Sequence, residues 1–390
     1  MNPVAQPADG SQEVDVSILV PVLNEERYIV ESVTAMCRQR FEGRLEFLLA
    51  DGGSSDRTRE LLAELQRTDA RIRVLDNPRR GTPSALNVAL AHARGRFVAR
   101  MDAHTRYPDD YIARGVERLS RGDTRWVSGP PIATGEGRVS RAVSLALRTP
   151  LGRGASRKWA AERDLEGEGY ELDSGVFAGV WERSTVLEYG GWDERWLRNQ
   201  DSEMAGRFLE RDEHLICLPA MGAEYTPRNT LRSLWRQYLE YGEYREWTAV
   251  RHPATMRRSH LLAPALVAAL ALSVLSPRMV RRLARRGLVV YCLAVSGVAV
   301  RSLPEASEPL DALYLPAVLA TMHLGHGTGA WLGARRHGAP LAAIASALGL
   351  RRLAARFAPA PEPVFSPSLS SLSGRSGPSG PLGPSGREDA

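Results

Sequence analysis

Cysteine is scarce in this 390-residue chain, and the three cysteines present match no common structural framework. Cys37, Cys217 and Cys292 have neither the spacing of a zinc site nor the even number of a disulfide framework. This scarcity predicts a catalytic part that works in a reducing, cytosolic compartment. The first ten residues are polar and contain no apolar run, so we expect no signal peptide.

The glycine-rich loops that cradle phosphates are also missing. Residues 16–22 form a short apolar, β-branched run that predicts a buried strand. The turn at residues 21–26 has no glycine and carries two carboxylates, which would repel a pyrophosphate. A dinucleotide-binding domain needs Gly-x-Gly-x-x-Gly at this turn, and the chain has no Walker A lysine loop either. Both classes are therefore excluded, and Asn24 is expected to cap the helix that follows.

The first 220 residues instead alternate between strand-like and helix-like segments. Helical patterns separate four predicted strands, at residues 16–22, 45–50, 71–75 and 96–101. Short links in a βαβαβα order imply a mainly parallel sheet covered by helices on both faces. The apolar fraction of 43% is normal for a globular core. We therefore predict an α/β domain over residues 15–245, after a flexible N-terminus at 1–14.

Acidic residues end two of these strands, about fifty residues apart in the chain. Asp51 opens the run DGGSSD (51–56), and Asp102 opens the run DAH (102–104). In open α/β sheets, ligands bind in the crevice at the carboxyl ends of the strands. We expect the two residues on neighbouring strands, where the first turn could bind a nucleotide and the second a divalent cation against its diphosphate. This pattern indicates a site for an activated sugar.

Six motifs then occur in the order typical of one enzyme family. They read VPVLNEE (20–26), DGGSSD (51–56), GTPSALN (81–87), MDAH (101–104), GGWDE (190–194) and RNQDSEM (198–204). Together they resemble family 2 glycosyltransferases with the A-type fold, over roughly residues 15–245. Within that family, the chain looks most similar to membrane-associated enzymes of bacterial exopolysaccharide assembly, of the succinoglycan type. The resemblance implies a transferase that uses a nucleotide-sugar donor.

The resemblance assigns donor binding to the first turns. Asp51 would accept a hydrogen bond from the uracil ring, although an aspartate in a glycine-rich turn can also serve only to organise that turn. Arg80 precedes a predicted helix at Thr82, and both a guanidinium and a helix N-terminus favour phosphate. The alternative for Arg80 is a solvated loop position. The residues expected to line the base and ribose are Pro21, Val22, Asn24 and Glu25.

Asp102 corresponds to the metal ligand of the family, and Asp201 to its general base. A magnesium or manganese ion is commonly held by one or two carboxylates together with substrate phosphates. The family pattern is Asp-x-Asp, but the third position here is His104, which is either a second ligand, a phosphate donor or a turn residue. Asp201 would deprotonate the attacking acceptor hydroxyl, or else it only serves the dipole of its helix. Gln200 stands where glutamate is usual.

Beyond residue 245 the chain changes to apolar stretches flanked by arginines, at residues 261–275, 288–300 and 313–333. Only the third is long enough, as a helix, to cross a hydrocarbon core of about 30 Å. Arginines beside apolar residues favour an anionic membrane surface over nucleic acid. We predict a membrane-associated helical region at 246–340, then a basic helix and a disordered Ser-, Pro- and Gly-rich tail at 341–390.

These observations predict an inverting glycosyltransferase that moves a single sugar from a nucleotide diphosphate donor, a UDP-sugar, to a lipid-linked or saccharide acceptor. Its cofactor would be a divalent cation, manganese or magnesium. We expect it at the cell membrane, with the catalytic domain in the cytoplasm and without a nucleic-acid partner. The alternative is a catalytically silent member that docks in a polysaccharide assembly complex, which the departures at Gln200 and His104 would favour.

Overall fold

A mixed β-sheet lies at the centre of the first 225 residues or so of the chain. The computed structural model describes residues 13–154, 156–159, 168–176 and 178–358. Residues 1–12 of the predicted flexible N-terminus and residues 359–390 of the predicted tail lie outside this part.

Two sheets are present in the described part of the chain. The strands are β1 (Val16–Val22), β2 (Leu45–Asp51), β3 (Ile72–Asp76), β4 (Phe97–Arg100), β5 (Thr105–Arg106), β6 (Trp126–Ser128), β7 (Pro131–Ala133), β8 (Tyr170–Glu171), β9 (Gly179–Glu182), β10 (Leu215–Cys217) and β11 (Ala223–Tyr225). The large sheet has the order β3-β2-β1-β4-β9-β6-β10-β8, and the small one the order β5-β11-β7. β3, β2, β1 and β4 pair in parallel, whereas β9 runs antiparallel to β4 and β6. The α/β prediction is confirmed.

Helices cover both faces of the large sheet, as expected. They are α1 (Ile29–Cys37), α2 (Thr58–Thr68), α3 (Thr82–His92), α4 (Tyr111–Leu119), α5 (Arg138–Arg148), α6 (Pro150–Arg153), α7 (Arg183–Glu188), α8 (Gln200–Leu209), α9 (Leu231–Arg251), α10 (Leu262–Leu275), α11 (Arg278–Arg301), α12 (Pro309–His337), α13 (Leu341–Ala347) and α14 (Arg351–Arg356). Successive side chains of a strand point to opposite faces. Ile18 and Phe47 therefore share one core with α1, α2 and α4, while Leu19 and Leu48 share another with α3, α7 and α8.

The register of the central strands brings the two acidic strand ends to one edge of the sheet. Asp51 pairs with Val22 at the end of β1, and Arg100 at the end of β4 lies opposite Leu19. Asp102 follows Arg100 by two residues, so it emerges at the same carboxyl edge. We expected the two acidic strand ends on neighbouring strands, and this expectation is wrong. They flank β1 instead, and two strand spacings amount to about 10 Å.

The long helix α12 packs mainly against α9 and α5. Arg141 of α5 pairs with the buried Asp311 of α12, with 2.8 Å between Nε and Oδ2. The backbones of α9 and α12 meet at Gly242 and Gly329, where an added Cβ would collide with backbone atoms of the other helix. The predicted boundary between residues 245 and 246 falls inside α9.

Two helices in the described residues are long and apolar enough to cross a membrane, Arg258–Leu275 and Arg278–Arg301. In the most apolar 18-residue window of each helix, only 6% and 11% of the residues are buried within the protein. These helices contain the first and second apolar stretches of the sequence. The stretches alone looked too short to cross a membrane, but each helix also includes residues that flank its stretch. The third stretch lies in α12, whose inner face is buried. The third stretch is not one of the two candidate spans found among the described residues.

Candidate active site

The Asp51 carboxylate is enclosed by its own turn. Its Oδ1 accepts hydrogen bonds from the hydroxyl of Ser54 at 2.5 Å and from the N–H of Ser54 at 3.2 Å. Nε of Arg59 lies 3.2 Å from Oδ2, and the Asp51 side chain is 1% exposed. The turn-organising role that the sequence left open is therefore present. Recognition of a base by Asp51 stays a prediction.

Asn24 links the turn after β1 to the turn after β2 by hydrogen bonds. It has a left-handed φ of 53°, and its Oδ1 accepts a hydrogen bond from the N–H of Ser55 at 2.8 Å. The N–H of Asn24 donates to Oγ of Ser54 at 2.9 Å. Helix α1 begins only at Ile29, so the expectation that Asn24 caps this helix is wrong. The side-chain amide instead supports the neighbouring turn.

Pro21, Val22 and Glu25, the other residues expected around the base, lie at the end of β1 and in the turn that follows it. Pro21 and Val22 are the last residues of β1, and the carbonyl of Val22 accepts a hydrogen bond from the N–H of Gly52 at 2.8 Å. The N–H of Glu25 donates to the hydroxyl of Thr58, the first residue of α2, at 2.8 Å. The turns at residues 21–26 and 51–56 are therefore joined by hydrogen bonds into one continuous surface, which we call the wall.

Arg80, two residues before α3, donates hydrogen bonds to the turn after β2. Its Nε donates to the carbonyl of Gly52 at 3.1 Å, and its Nη2 to the carbonyl of Gly53 at 3.3 Å. Its backbone is left-handed, with a φ of 58°, and α3 begins at Thr82 as the sequence predicts. The guanidinium thus supports the turn through protein carbonyls, and phosphate binding by Arg80 stays a prediction.

Asp102 pairs with Arg100, the buried last residue of β4. Nε and Nη2 of Arg100 lie 2.8 Å and 3.0 Å from the two carboxylate oxygens of Asp102. The Arg100 side chain is 3% exposed. The N–H of Asp102 donates to the hydroxyl of Tyr107 at 2.8 Å. A bidentate pair of this kind is strong and directional, so it fixes the orientation of the carboxylate.

The same guanidinium also reaches Asp201. Nη1 of Arg100 lies 2.6 Å from Oδ1 of Asp201, the second residue of α8. Asn199 precedes this helix in a left-handed conformation, with a φ of 60°, and turns the chain toward the site. Burial raises the pKa of Asp201, the charge of Arg100 opposes that rise, and Asp102 adds to it. A carboxyl with a raised pKa beside a second acid is typical of acid–base catalysts.

His104 joins the second acidic strand end to the first turn. Its Nδ1 lies 2.9 Å from Oε1 of Glu25, and this hydrogen bond raises the pKa of His104 although burial opposes the rise. Such a carboxylate partner orients a histidine for a ligand at its other ring nitrogen. Within the described residues, no group of three or more His, Cys, Asp or Glu side chains could hold a metal ion by itself. A cation here would need phosphate oxygens as well.

The structure therefore links Asp102 to Asp201, and His104 to Glu25. Arg100, which makes the first link, was not among the site residues predicted from the sequence. Its signal was a charged residue at the end of an apolar strand, where a buried guanidinium requires acidic partners.

Residues 17–178 match the family model described as Glycosyl transferase family 2. This segment holds β1, both acidic strand ends and His104. The resemblance to this family that the motifs indicated is therefore confirmed over this segment. The prediction that the chain is a glycosyltransferase is confirmed as well.

Relatives extend the match toward the C-terminus. The succinoglycan biosynthesis protein ExoA of Rhizobium meliloti (strain 1021) is 29% identical over 316 residues, which is 80% of this chain and 93% of ExoA. A second relative is the dolichyl N-acetyl-alpha-D-glucosaminyl phosphate 3-beta-D-2,3-diacetamido-2,3-dideoxy-beta-D-glucuronosyltransferase of Methanococcus voltae. It is 25% identical over 236 residues, which is 58% of this chain and 71% of the relative. The resemblance to succinoglycan-type members is thus confirmed.

A solved structure supports the fold assignment. The mannosyltransferase PcManGT from Pyrobaculum calidifontis, solved in complex with GDP-Man and Mn2+, superimposes with a TM-score of 0.51. The match covers 83% of this chain and 90% of PcManGT, at 18% sequence identity. The A-type fold inferred from the motifs is confirmed.

Proposed function

We propose that this chain is an inverting glycosyltransferase that moves one sugar from a nucleotide diphosphate donor, a UDP-sugar, to a lipid-linked acceptor in polysaccharide assembly. The observation that carries the proposal is the joint placement of Asp102 and Asp201 on Arg100. It brings the acid expected at the donor diphosphate next to the acid expected at the acceptor. The name of ExoA, a succinoglycan biosynthesis protein, agrees with the proposal. So does that of the undecaprenyl-phosphate 4-deoxy-4-formamido-L-arabinose transferase of Pectobacterium carotovorum subsp. carotovorum (strain PC1), which is 37% identical over 113 residues, 28% of this chain and 34% of the relative.

Asp201 would act as the general base. It would take the proton of the acceptor hydroxyl while that oxygen attacks the anomeric carbon and the bond to the diphosphate breaks. One displacement with one base inverts the anomeric configuration, and it needs no protein nucleophile. The burial of Asp201 supports this role, because a raised pKa makes a carboxylate a better proton acceptor.

The donor would lie along the wall formed by the first two turns. Pro21, Val22, Asn24 and Glu25 would line the base and ribose, with Asp51 at the base and Arg80 toward the phosphates. Asp102 and His104 would hold a manganese or magnesium ion together with the diphosphate. Bound there, the cation would neutralise the charge that develops on the leaving group. The Glu25–His104 pair supports this, because it orients the imidazole as in a metal-binding histidine.

The acceptor side would face the membrane. The two exposed apolar helices, Arg258–Leu275 and Arg278–Arg301, support attachment to the cell membrane, and we place the catalytic domain in the cytoplasm. Alkaline carbonate treatment of expressing cells should leave the full-length chain in the membrane pellet. Its release into the soluble fraction would rule out integral insertion.

Transfer assays with the purified full chain test the proposed reaction. We expect sugar transfer from a UDP-sugar to undecaprenyl phosphate or a lipid extract in the presence of Mn2+, with inversion seen by NMR. Asp201→Asn should lower turnover about 10²- to 10⁴-fold while UDP binding is kept. Asp212→Asn is the matched control, because Asp212 is exposed just beyond the same helix. Unchanged turnover in Asp201→Asn removes it as the base. A wild type that binds donors without turning them over would support the docking alternative.

A further inference from the structure

The first turns of α11 carry a basic face beside exposed apolar side chains. Five arginines occur close together there, and we call them the arginine face: Arg278, Arg281, Arg282, Arg285 and Arg286. All of them are exposed except Arg281, which is partly buried. At about 100° per helical residue, the five side chains fall within an arc of about 140°. Met279, Val280 and Leu283 lie outside this arc, and they are exposed as well.

No acidic side chain balances the arginine face. Residues 247–304 contain no Asp or Glu. Nε of Arg285 donates to the carbonyl of Ser273 at 3.2 Å, and within the described residues none of the five arginines pairs with a carboxylate. Water alone would satisfy these guanidinium groups, but it would not suit the exposed apolar side chains between them. The boundary between lipid headgroups and acyl chains suits both.

The arginine face lies beside the exposed end of α10. Two residues join α10 to α11, and the hydrogen bond from Arg285 to Ser273 aligns the two helices side by side as a hairpin. Leu272 and Val274 of α10 are 44% and 68% exposed at this level. Arginines and large apolar side chains therefore share one depth, which neither the hydrocarbon core nor water accommodates alone. Basic helices with exposed apolar residues lie in the plane of the membrane interface.

The apolar segments of the hairpin are short for a crossing. As helices, the 14 residues of α10 reach about 21 Å and residues 288–300 of α11 about 20 Å, against a hydrocarbon core of about 30 Å. The first candidate span includes Arg258, and the second includes the whole arginine face. If the hairpin crossed, the arginine face would emerge on the side opposite to Arg258 and Arg301. Arginines would then flank both sides, whereas they are enriched on the cytoplasmic side of membrane proteins.

We propose that the arginine face lies in the headgroup layer on the side of the catalytic sheet and binds the phosphates of anionic phospholipids, so that α10 and α11 enter the membrane without crossing it. Guanidinium groups suit phosphate because they donate two hydrogen bonds at once, and the apolar side chains would reach the acyl chains. Nε1 of Trp331 in α12 donates to the carbonyl of Pro264 in α10 at 3.0 Å, so lipid binding would also position the helix that packs on α9. The inference rests on the proposed membrane attachment and adds the lipid class and the depth.

Thermal unfolding of the purified full chain tests the lipid class. Dioleoyl phosphatidylglycerol or dioleoyl phosphatidylcholine would be titrated into dodecyl maltoside micelles that hold the protein. A ligand that binds only the folded state raises the melting temperature, so phosphatidylglycerol should raise it more than phosphatidylcholine does. In the double variant Arg282→Gln and Arg286→Gln, the apparent affinity for phosphatidylglycerol should fall about 25-fold, because each arginine near an anionic surface contributes about fivefold.

A second double variant, Arg38→Gln and Arg121→Gln, is the matched control. Both of these arginines are exposed just beyond α1 and α4, so the affinity for phosphatidylglycerol should equal that of wild type. Equal affinities of wild type and the Arg282 and Arg286 variant would overturn the inference, and so would an equal effect of phosphatidylcholine. The same rise with inorganic phosphate would assign the arginine face to a free anion, and a larger rise with single-stranded RNA would assign it to nucleic acid. Either result contradicts a lipid surface.

Labelling with a membrane-impermeant maleimide tests the depth. Arg282→Cys places a thiol in the arginine face, Arg121→Cys marks the side of the catalytic sheet, and wild type corrects for the native cysteines. Intact spheroplasts and inverted vesicles expose opposite sides of the membrane, and both new thiols should be labelled in the same preparation. Labelling of Arg282→Cys from the opposite side, or from neither side, would overturn the inference.

Failure of the proposed function gives a different result. If the membrane attachment itself is wrong, alkaline carbonate releases the wild-type chain. If the proposed transfer reaction is wrong, the melting temperatures and the labelling are unaffected, because neither measurement uses sugar transfer.

Discussion

Nη1 of Arg100 lies 2.6 Å from Oδ1 of Asp201, while the other edge of the same guanidinium holds both oxygens of Asp102. One buried cation thus connects the acid at the donor edge of the sheet with the acid at the start of α8. Any group that binds Asp102 must share this carboxylate with Arg100. We therefore expect donor binding and the state of Asp201 to be coupled through Arg100.

Replacing Arg100 should shift the pH dependence of the reaction. The active form of Asp201 is the carboxylate, so kcat/KM should rise with pH through the pKa of Asp201. Arg100 lowers that pKa, so Arg100→Met should move the acidic limb to higher pH, whereas Arg100→Lys should move it less. Rates measured from pH 5 to 9 check this. An acidic limb at the same pH in Arg100→Met would separate Arg100 from Asp201. Arg100→Met should also lower stability by about 3 kcal/mol, because it removes the arginine partner of two largely buried carboxylates, whose side chains are 12% and 17% exposed.

Ser54 is expected to matter for donor affinity. Its hydroxyl donates to Asp51 and accepts from the N–H of Asn24, so Ser54→Ala removes both of these hydrogen bonds. We expect a KM for the donor that rises about three- to tenfold, since one or two hydrogen bonds of about 1 kcal/mol are lost, with kcat nearly kept. Ser55→Ala is the control, because the Ser55 hydroxyl is exposed and makes only a 3.4 Å contact. Equal donor constants for the two variants would contradict this role.

His252 should make stability depend on pH. Burial opposes its protonation, but two carboxylates raise its pKa above the ordinary value: that of Glu203, 3.5 Å from Nε2, and that of Glu210, hydrogen-bonded to Nδ1 at 2.8 Å. A raised folded-state pKa gives stabilisation that is fully present below the unfolded pKa, about 6.5, and is lost as pH rises through the folded pKa. The melting temperature of wild type should therefore exceed that of His252→Gln by more at pH 6 than at pH 9. Glu210→Gln should show a smaller pH dependence than wild type. A constant gap between the curves would mean that His252 does not titrate in this range.

The contact between α9 and α12 should tolerate no added side chain at Gly329. A Cβ there meets the carbonyl of Leu239, so Gly329→Ala should destabilise the protein by about 1–3 kcal/mol through overpacking. At Gly297 of α11, by contrast, nothing lies within 4 Å of an added Cβ. Gly297→Ala should therefore be neutral or stabilising by up to about 1 kcal/mol, because alanine favours the helix. Thermal unfolding in detergent compares the two variants, and equal melting temperatures would argue against close packing of α9 and α12.

The fold of the first half was predictable because its signals are local. Apolar β-branched runs, turn residues and the order of the motifs fix the strands and helices up to about Asp102, and the acidic strand ends follow from them. The contacts that join distant segments could not be predicted in this way. Arg100 and Asp201 are 101 residues apart, and nothing in the local pattern of either indicates the other.

The C-terminal half shows the same limit in another form. Hydrophobic length alone favoured residues 313–333 as the membrane span, but length does not distinguish a lipid-facing helix from one that packs on protein. The glycines of α12 were the available signal, because Gly327, Gly329 and Gly333 allow neighbouring backbones to approach closely. Asn24 was misassigned for a related reason: its amide serves a turn 31 residues away instead of the nearest helix.

The packing of α12 has a practical consequence. A shortened enzyme that stops near residue 245 would end within α9, and it would lack Asp311 as the partner of Arg141 and the apolar cover of α5. Such a fragment would expose apolar side chains of α5 that α12 covers in the full chain, so we expect it to aggregate. Expression trials are better directed at the intact polypeptide, since α12 covers apolar residues of α5 and α9.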